Sequence, residues 1–381
     1  MIWAIDRNKR LPYLADYLEG FRKCGVEGMM IEPDSIQKCD RKPDFVLDFN
    51  YHDQSASFFS GLDIPYVAIV YDTWYHPVEM YTPDTKGKIH NCFAFTCDPT
   101  QVEGFQRAGA YSEFLPLGVN TDRFRPRRLE KKYDVIFYGS SMSDNKNDGF
   151  KMMAKAHPET KDILYGIIDR KKRNTLFRDD LEEMVALEAE RTGKFLVSKT
   201  MTHQKRAWIQ MLEDHVTMMM REYVTYCANA LVFGPKDWEL YRCAEGQKYG
   251  ANCGYGGWLD YRTELPEVVC ESKIVLSVEK IGTWQAVGQR LYEVLASGSF
   301  CLSNRTKEQE ALFDDGKDLA YYDSLKDLKD KVGYYLAHEK EREDIAAQGC
   351  QKVRAMHATE HRAKRILEVL DEKMGKSIPG T

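Results

Sequence analysis

The sequence predicts an α/β protein built from two successive doubly wound domains. Three observations lead there. At 381 residues the chain has room for two domains of roughly 150 residues each. Short apolar runs alternate with helical patterns in both halves, as in parallel sheets covered by helices. A polar stretch without periodicity, residues 118–132, separates the two series and reads as a linker.

In the first series, Ile2 to Ile5 reads as a strand. Residues 11–24 read as a helix with Leu11, Leu14, Leu18 and Phe21 on one face. Further strands are expected at Gly28–Ile31, Phe45–Phe49, Tyr66–Tyr71, Cys92–Cys97 and Glu113–Leu117, with helices at 53–61 and 99–109. The second series opens with Tyr133–Tyr138 and continues through Ala230–Phe233, a weaker Ala251–Gly254, Lys273–Ser277, Ser299–Ser303 and Leu319–Tyr322. Helices are expected at 285–297, 324–338, 340–357 and 358–374. Residues 147–228 exceed what one crossover needs, so they read as a helical insertion in the second domain. Within it, RKKR at 170–173 and HQKR at 203–206 read as solvated helix faces, with nucleic-acid contact the weaker alternative, and Met218–Met220 as a core or an interaction face.

Composition narrows the function. Hydrophobic residues make up 43% of the chain, enough for two cores, which excludes a disordered chain. The net charge of −5 argues against a general polyanion binder. No apolar run approaches the roughly 18 residues of a spanning helix, and the short apolar start reads as a strand rather than a signal peptide. Ten cysteines lie scattered without a C-x-x-C pair, so free thiols in a reducing cytoplasm are expected and a zinc site is not.

In doubly wound sheets, ligands bind beyond the carboxyl ends of the strands, and two tandem domains leave a cleft between them. Each loop after a strand is therefore a candidate. After Lys273–Ser277, the loop with Gly282 and Thr283 opens a helix expected to start near Gln285, whose free N–H groups suit a diphosphate. Glu293 lies eight residues on, about 12 Å along a helix axis. An ordinary amphipathic helix with a solvated Gln, Arg and Glu face has the same spacing. Gly139-Ser140, followed by Lys146, offers close backbone approach, a hydroxyl and a cation to phosphate oxygens; a plain polar turn would look alike. After Tyr66–Tyr71, Asp72 and His76 are candidates for sugar binding or for a general base; Asp6 and His52-Asp53 are weaker versions. Neither Asp314-Asp315 nor Asp179-Asp180 has a convincing metal-binding setting.

The stretch from about 229 to 370 resembles the donor domain of GT-B glycosyltransferases, in particular the CgeB-like branch of glycosyl transferases group 1. The resemblance rests on LVFGPKDW (231–238), GYGGWLDYRTELPEVVCESKIVLSVE (254–279), GQRLYEVLASGSFCLSN (288–304), LFDDGKDLAYYDSLKDLKDKVGYYL (312–336) and EREDIAAQGCQKVRAMHATEHRAKRIL (341–367). VNTDRFRP (119–126) extends it more loosely into the first half. The resemblance implies two Rossmann-like domains facing a central cleft. An acceptor domain would cover 1–125 and a nucleotide-sugar domain 130–357, with a last helix in 358–381 packing back on the first domain. It also implies hexosyl transfer from a nucleotide-diphosphate sugar, UDP-sugar being the commonest, without a metal or further cofactor.

Glu293 falls on the second Glu of the family's E-x7-E motif, which holds the ribose. Arg290 falls on the Arg of R-x-x-E, suited to the diphosphate or to an ion pair. Gln285 stands where relatives carry the first Glu, the residue that contacts the transferred sugar. The segment Trp258 to Pro266 would meet the nucleobase, with Tyr261 and Arg262 as stacking candidates; core packing of Trp258 and Tyr261 is the alternative. The acceptor is open: a glycan, a small molecule, a protein or a modified DNA base. Two other readings remain, a phage-type DNA-base glycosyltransferase and a catalytically degenerate nucleotide-sugar-binding protein.

Overall fold

A computed structural model describes residues 1–5, 12–33, 42–71, 90–141, 155, 158–175, 202–238, 254–280 and 286–375. The chain divides into two compact units. The first comprises Met1–Arg125, Thr283–Ala296 and Gln351–Thr381; the second comprises Pro126–Gly282 and Ser297–Cys350. Residues 283–296 and 351–357, which the sequence reading assigns to the second domain, lie with the first unit.

The first sheet contains β1 (Ile2–Ile5), β2 (Gly28–Ile31), β3 (Phe45–Phe49), β4 (Tyr66–Val70), β5 (Cys92–Thr96) and β6 (Tyr111–Phe114), in the order β2-β1-β3-β4-β5-β6. Every pairing is parallel. All residues of β3, β4 and β5 are buried, as expected of strands covered on both faces. The edge strands β2 and β6 are mostly uncovered, each with one buried residue. Helix α1 (Pro12–Lys23) buries Leu14, Tyr17 and Phe21, with Leu18 only partly covered. Helices α2 (Asp53–Gly61) and α3 (Val102–Arg107) follow, the latter preceded by a 3-10 turn at Pro99–Gln101 that Asp98 caps through Thr100 N.

The second sheet contains β7 (Tyr133–Tyr138), β8 (Leu231–Phe233), β9 (Tyr255–Gly257), β10 (Ser272–Ser277), β11 (Cys301–Asn304) and β12 (Ala320–Tyr322). Their order is β12-β11-β10-β7-β8-β9, again parallel throughout. The weak strand expected at 251–254 is β9, a few residues later. Between β7 and β8 the described residues hold two helices, α4 (Glu159–Arg173) and α5 (Thr202–Cys227). Val216, Met220 and Val224 of α5 join Phe137, Ile274 and Leu276 in one core, so the methionine run is core. The basic run at 170–173 closes α4, where Lys171 donates to Thr175 O and Lys172 lies 3.6 Å from the Tyr223 ring centre. Helices α6 (Glu264–Cys270), α7 (Gln289–Ala296), α8 (Lys307–Glu310), α9 (Leu325–Ala337), α10 (Glu339–Met356) and α11 (Thr359–Met374) complete the described elements. No described helix is long and apolar enough to cross a membrane.

The expected linker is partly packed. Val119 and Phe124 are fully buried, and Val119 forms a bridge with Ala358. Asn120 shows why a polar sequence can fold in: its amide donates to Asp16 and Glu19, and its carbonyl accepts from Asp122 N and Arg123 N. Helix α11 packs on α1 in the first unit, with Ile366, Leu367 and Leu370 in the same core as Leu14 and Phe21. Gly20 permits this approach, since a Cβ there would sit 2.9 Å from the Thr359 carbonyl atoms.

Arg362 of α11 is buried and donates to Pro116 O at 2.6 Å, Leu117 O at 3.1 Å and Met356 O at 3.0 Å. Its guanidinium also meets His357 Nδ1 at 2.6 Å. That nitrogen accepts only when the ring is neutral. Burial and then the Arg362 charge push His357 down to about 3. Neutral in the fold and protonated in the unfolded chain below pH 6.5, His357 weakens folding as pH falls from 6.5 toward 3. We expect denaturant unfolding to show a loss of about 1–2 kcal/mol between pH 7 and pH 5 that the His357→Gln variant lacks; equal pH slopes for the two proteins would contradict this.

Candidate active site

Parallel doubly wound sheets open a crevice where consecutive connections leave in opposite directions. In the second sheet that point lies between β7 and β10, because the chain runs from β7 out to β8 and β9 and then returns to β10 on the other side. In the first sheet it lies between β1 and β3.

Gly139 and Ser140 leave the carboxyl end of β7. Gly139 adopts φ 139°, and its N–H donates to Phe233 O at 3.0 Å. Gly234 after β8 lies so close that a Cβ would meet Gly139 O at 2.3 Å, so the residue there must be glycine. The Trp238 indole N–H holds the same carbonyl at 2.8 Å, and Ser141 Oγ donates to Asp237. Two neighbouring strand ends thus form one rigid turn cluster.

Helix α5 supplies what the sequence reading missed. Arg221, 7% exposed, donates to Ser140 O at 2.8 Å and to Val278 O at 3.5 Å. Those carbonyls belong to the loops that leave β7 and β10, so one guanidinium spans the switch point. Lys280, two residues past Val278, pairs with Asp214 of α5 at 3.1 Å. Next to Val278, Glu279 is 9% exposed, accepts from Gln309 Nε2 at 2.9 Å and donates its N–H to Asn304 Oδ1 at 2.8 Å. The signal for Arg221 in the sequence is only a basic residue on an apolar helix face, seven residues from Asp214, in a segment without a motif.

Tyr261 and Arg262 sit in the turn between β9 and α6; Tyr261 is half-buried and Arg262 exposed. Asp260 organises this turn. Its Oδ1 accepts from Arg262 N, Thr263 N and Thr263 Oγ1, all within 2.9 Å, and the Thr263 hydroxyl chiefly lowers its pKa. Trp258 is 69% exposed, which removes the core-packing alternative for it and leaves an aromatic face open beside the strand end.

Helix α7 begins at Gln289, four residues later than expected, so Gln285 is not its first residue. Ala286, Val287 and Gln289 are buried, and the Gln289 amide donates to Gly118 O at 3.0 Å. The first described turn is therefore covered rather than open to an anion. Glu293 is 2% exposed, which excludes a solvated Glu face, and Arg290 is half-buried. Both lie within electrostatic reach of Tyr13 in the same unit. Burial first, then Glu293, raise the Tyr13 hydroxyl well above its usual range, while Arg290 opposes the rise. Tyr13 stacks on Tyr71, the residue before Asp72, with centroids 5.3 Å apart. Asp72, His76, Lys146, Gly282, Thr283 and Gln285 lie outside the described residues, as does Asp6. His52 is the residue before α2; its N–H donates to Tyr66 OH, which donates to the buried Asp48. Asp315 pairs with Arg305 at 2.6 Å, and no group of three or more His, Cys, Asp or Glu side chains that could hold a metal occurs among the described residues.

Residues 206–368 match the family described as "Glycosyl transferase-like". The whole fold matches solved glycosyltransferases. The chain has the GT-B fold. Anabaena HepE in complex with UDP and glucose superposes with a TM-score of 0.55 at 8% identity, over 97% of this chain and 99% of that one. A sucrose-phosphate synthase from Thermosynechococcus elongatus gives 0.56 at 10% identity, covering 98% and 99%. The DNA-modifying enzyme β-glucosyltransferase gives 0.53 at 10% identity, covering 99% and 100%. No curated protein sequence matches the chain.

In this GT-B fold, Arg221→Met should remove the buried guanidinium that donates to Ser140 O and Val278 O. We expect a loss of about 1–3 kcal/mol in unfolding free energy, and a smaller loss for Arg221→Lys, which keeps one charged donor. Urea unfolding of the three proteins checks the order.

Proposed function

We propose that the protein transfers a hexose from a nucleotide-diphosphate sugar, UDP-sugar first among the candidates, to an acceptor hydroxyl or other nucleophile. The observation that carries this reading is the rigid Gly139-Ser140 turn at the switch point of the second sheet, clamped by Arg221. It stands in a chain whose family match and fold are those of glycosyltransferases. UDP accompanies two of the structures with this fold, HepE and the β-glucosyltransferase, the second as uridine diphosphoglucose.

In the proposed reaction the bond from the anomeric carbon to the diphosphate breaks and a bond to the acceptor oxygen forms. The acceptor proton passes to a base, for which Asp72 and His76 are the candidates. The departing diphosphate gains charge, which the Ser140 hydroxyl, nearby N–H groups and the Lys146 and Arg290 cations would stabilise. In this reading those groups serve in place of a metal, and no further cofactor takes part. Glu293 would hold the ribose, and the Trp258–Arg262 turn would offer its aromatic and guanidinium surfaces to the base. The described cysteines are free thiols, in keeping with a reducing, cytoplasmic setting.

A thermal-shift screen against UDP-, GDP- and dTDP-sugars tests the donor. Stabilisation by the UDP series, growing with concentration as mass action requires, is expected; silence across all three series would remove the proposal. Glu293→Ala should abolish most of that stabilisation, and an unchanged shift would remove Glu293 from the site. Likeness to the DNA-modifying enzyme is a likeness of fold and does not single out DNA as the acceptor. Salt-sensitive duplex binding in a gel shift would favour that acceptor. Donor binding without either hydrolysis or transfer would favour a degenerate binding protein.

A further inference from the structure

We infer that Trp238 is a positioning residue for the donor's diphosphate. Its indole N–H fixes the plane of the Gly139–Ser140 peptide, and that plane sets where the Ser140 N–H points. This rests on the donor reading above, which places the diphosphate at the turn after β7.

The turn is held at three consecutive residues, each by a different side chain. Trp238 Nε1 donates to Gly139 O at 2.8 Å, Arg221 donates to Ser140 O at 2.8 Å, and Ser141 Oγ donates to Asp237. Asp237 and Trp238 both belong to the turn after β8, which is itself fixed. Gly234 N donates to Gly257 O at 2.9 Å, Tyr255 OH donates to Gly234 O at 3.0 Å, and Trp238 N donates to Pro235 O at 3.1 Å. The indole is held by the core: Trp238 is 1% exposed and meets the Phe137 ring edge-on, with centroids 5.7 Å apart. Gly234 leaves the space for this approach, since a Cβ there would lie 3.1 Å from Trp238 Nε1.

Peptide planarity turns this hold into a direction. The C=O and N–H of a trans peptide point opposite ways. The Gly139 carbonyl faces the indole, so the Ser140 N–H faces away from it. The Ser140 carbonyl faces Arg221, so the Ser141 N–H faces away from the guanidinium. Trp238 and Arg221 are buried, whereas Gly139 and Ser140 are half-buried. The carbonyls thus turn inward and the N–H groups turn toward the side where phosphate oxygens would lie. An indole is a donor only, so it can hold a carbonyl but never the N–H on the other side of the peptide. A hydroxyl could pair with either and would permit both orientations. N–H donors fixed in advance need no reorganisation as the bond to the anomeric carbon breaks and charge grows on the diphosphate.

The test compares UDP and UMP by calorimetry on wild type, on Trp238→Phe and on protein carrying 3-benzothienylalanine at position 238. UMP lacks the second phosphate. Wild type should bind UDP more tightly than UMP. Trp238→Phe keeps an aromatic ring against Phe137 without the N–H, and should weaken UDP roughly tenfold while UMP stays within about threefold. The benzothienyl side chain has the shape of the indole with sulfur in place of N–H. It should give the same result, and it decides the matter if Trp238→Phe does not fold. A purely structural Trp238 would lower both affinities together, and that outcome overturns the inference. A wild type that binds neither nucleotide overturns the UDP-donor reading and this inference with it. A wild type that binds UDP, with its preference over UMP absent or carried unchanged into the folded variants, overturns this inference alone.

Discussion

The Arg221 guanidinium is the interaction on which the candidate site depends. At a switch point two adjacent loops depart in opposite directions, so their first carbonyls lack the ladder partners that strands supply. Ser140 O and Val278 O lie in the loops that follow β7 and β10, and Arg221 donates to both. A lysine ammonium is a compact point donor, whereas the planar fork of arginine can span two carbonyls on different strands. The same guanidinium lies over the Phe137 ring, 5.8 Å from its centre, so it is packed as well as bonded. The loop that carries Gly139 and Ser140 and the loop that carries Glu279 and Lys280 are thereby held together.

The first unit uses a related solution. Arg362 satisfies the carbonyls of Pro116, Leu117 and Met356 from within α11, and His357 completes its shell. Asp48, Tyr66 and the His52 N–H form a buried chain at the end of β3. In both units, buried polar side chains meet main-chain groups where regular structure stops, because an unsatisfied carbonyl or N–H inside the fold is costly. These devices secure the ends of sheets whose middles need only apolar strands.

The burial of Glu293 and Gln309 changes how acidic and amide residues near the strand ends are to be understood. A solvated glutamate would report only helix periodicity. Glu293 at 2% exposure acts on the Tyr13 hydroxyl, and Glu279 accepts a hydrogen bond from Gln309. Buried carboxylates persist only with donors arranged around them, and such arrangements are found where a protein binds or reacts.

The two parallel sheets were legible in the sequence because continuous apolar runs such as Phe45–Phe49 and Cys92–Thr96 cannot face water on either side. The helices at 53–61, 325–337 and 359–374 were legible too, since period-3.6 apolar faces repeat on a local scale. The turn at Gly139-Ser140 could be named from its glycine and its place after a strand. What tertiary structure alone decided was which distant residues complete it. Arg221 reaches Ser140 across 81 positions of sequence, and Gln309 reaches Glu279 across 30. Packing also moved the start of α7 to Gln289 and buried Val119, Asn120 and Phe124, although the local sequence there is polar. Periodicity records whether a residue faces water or core, a property of neighbours along the chain. Which polar group satisfies which carbonyl is set by the path of the whole chain, and no short window of sequence contains it.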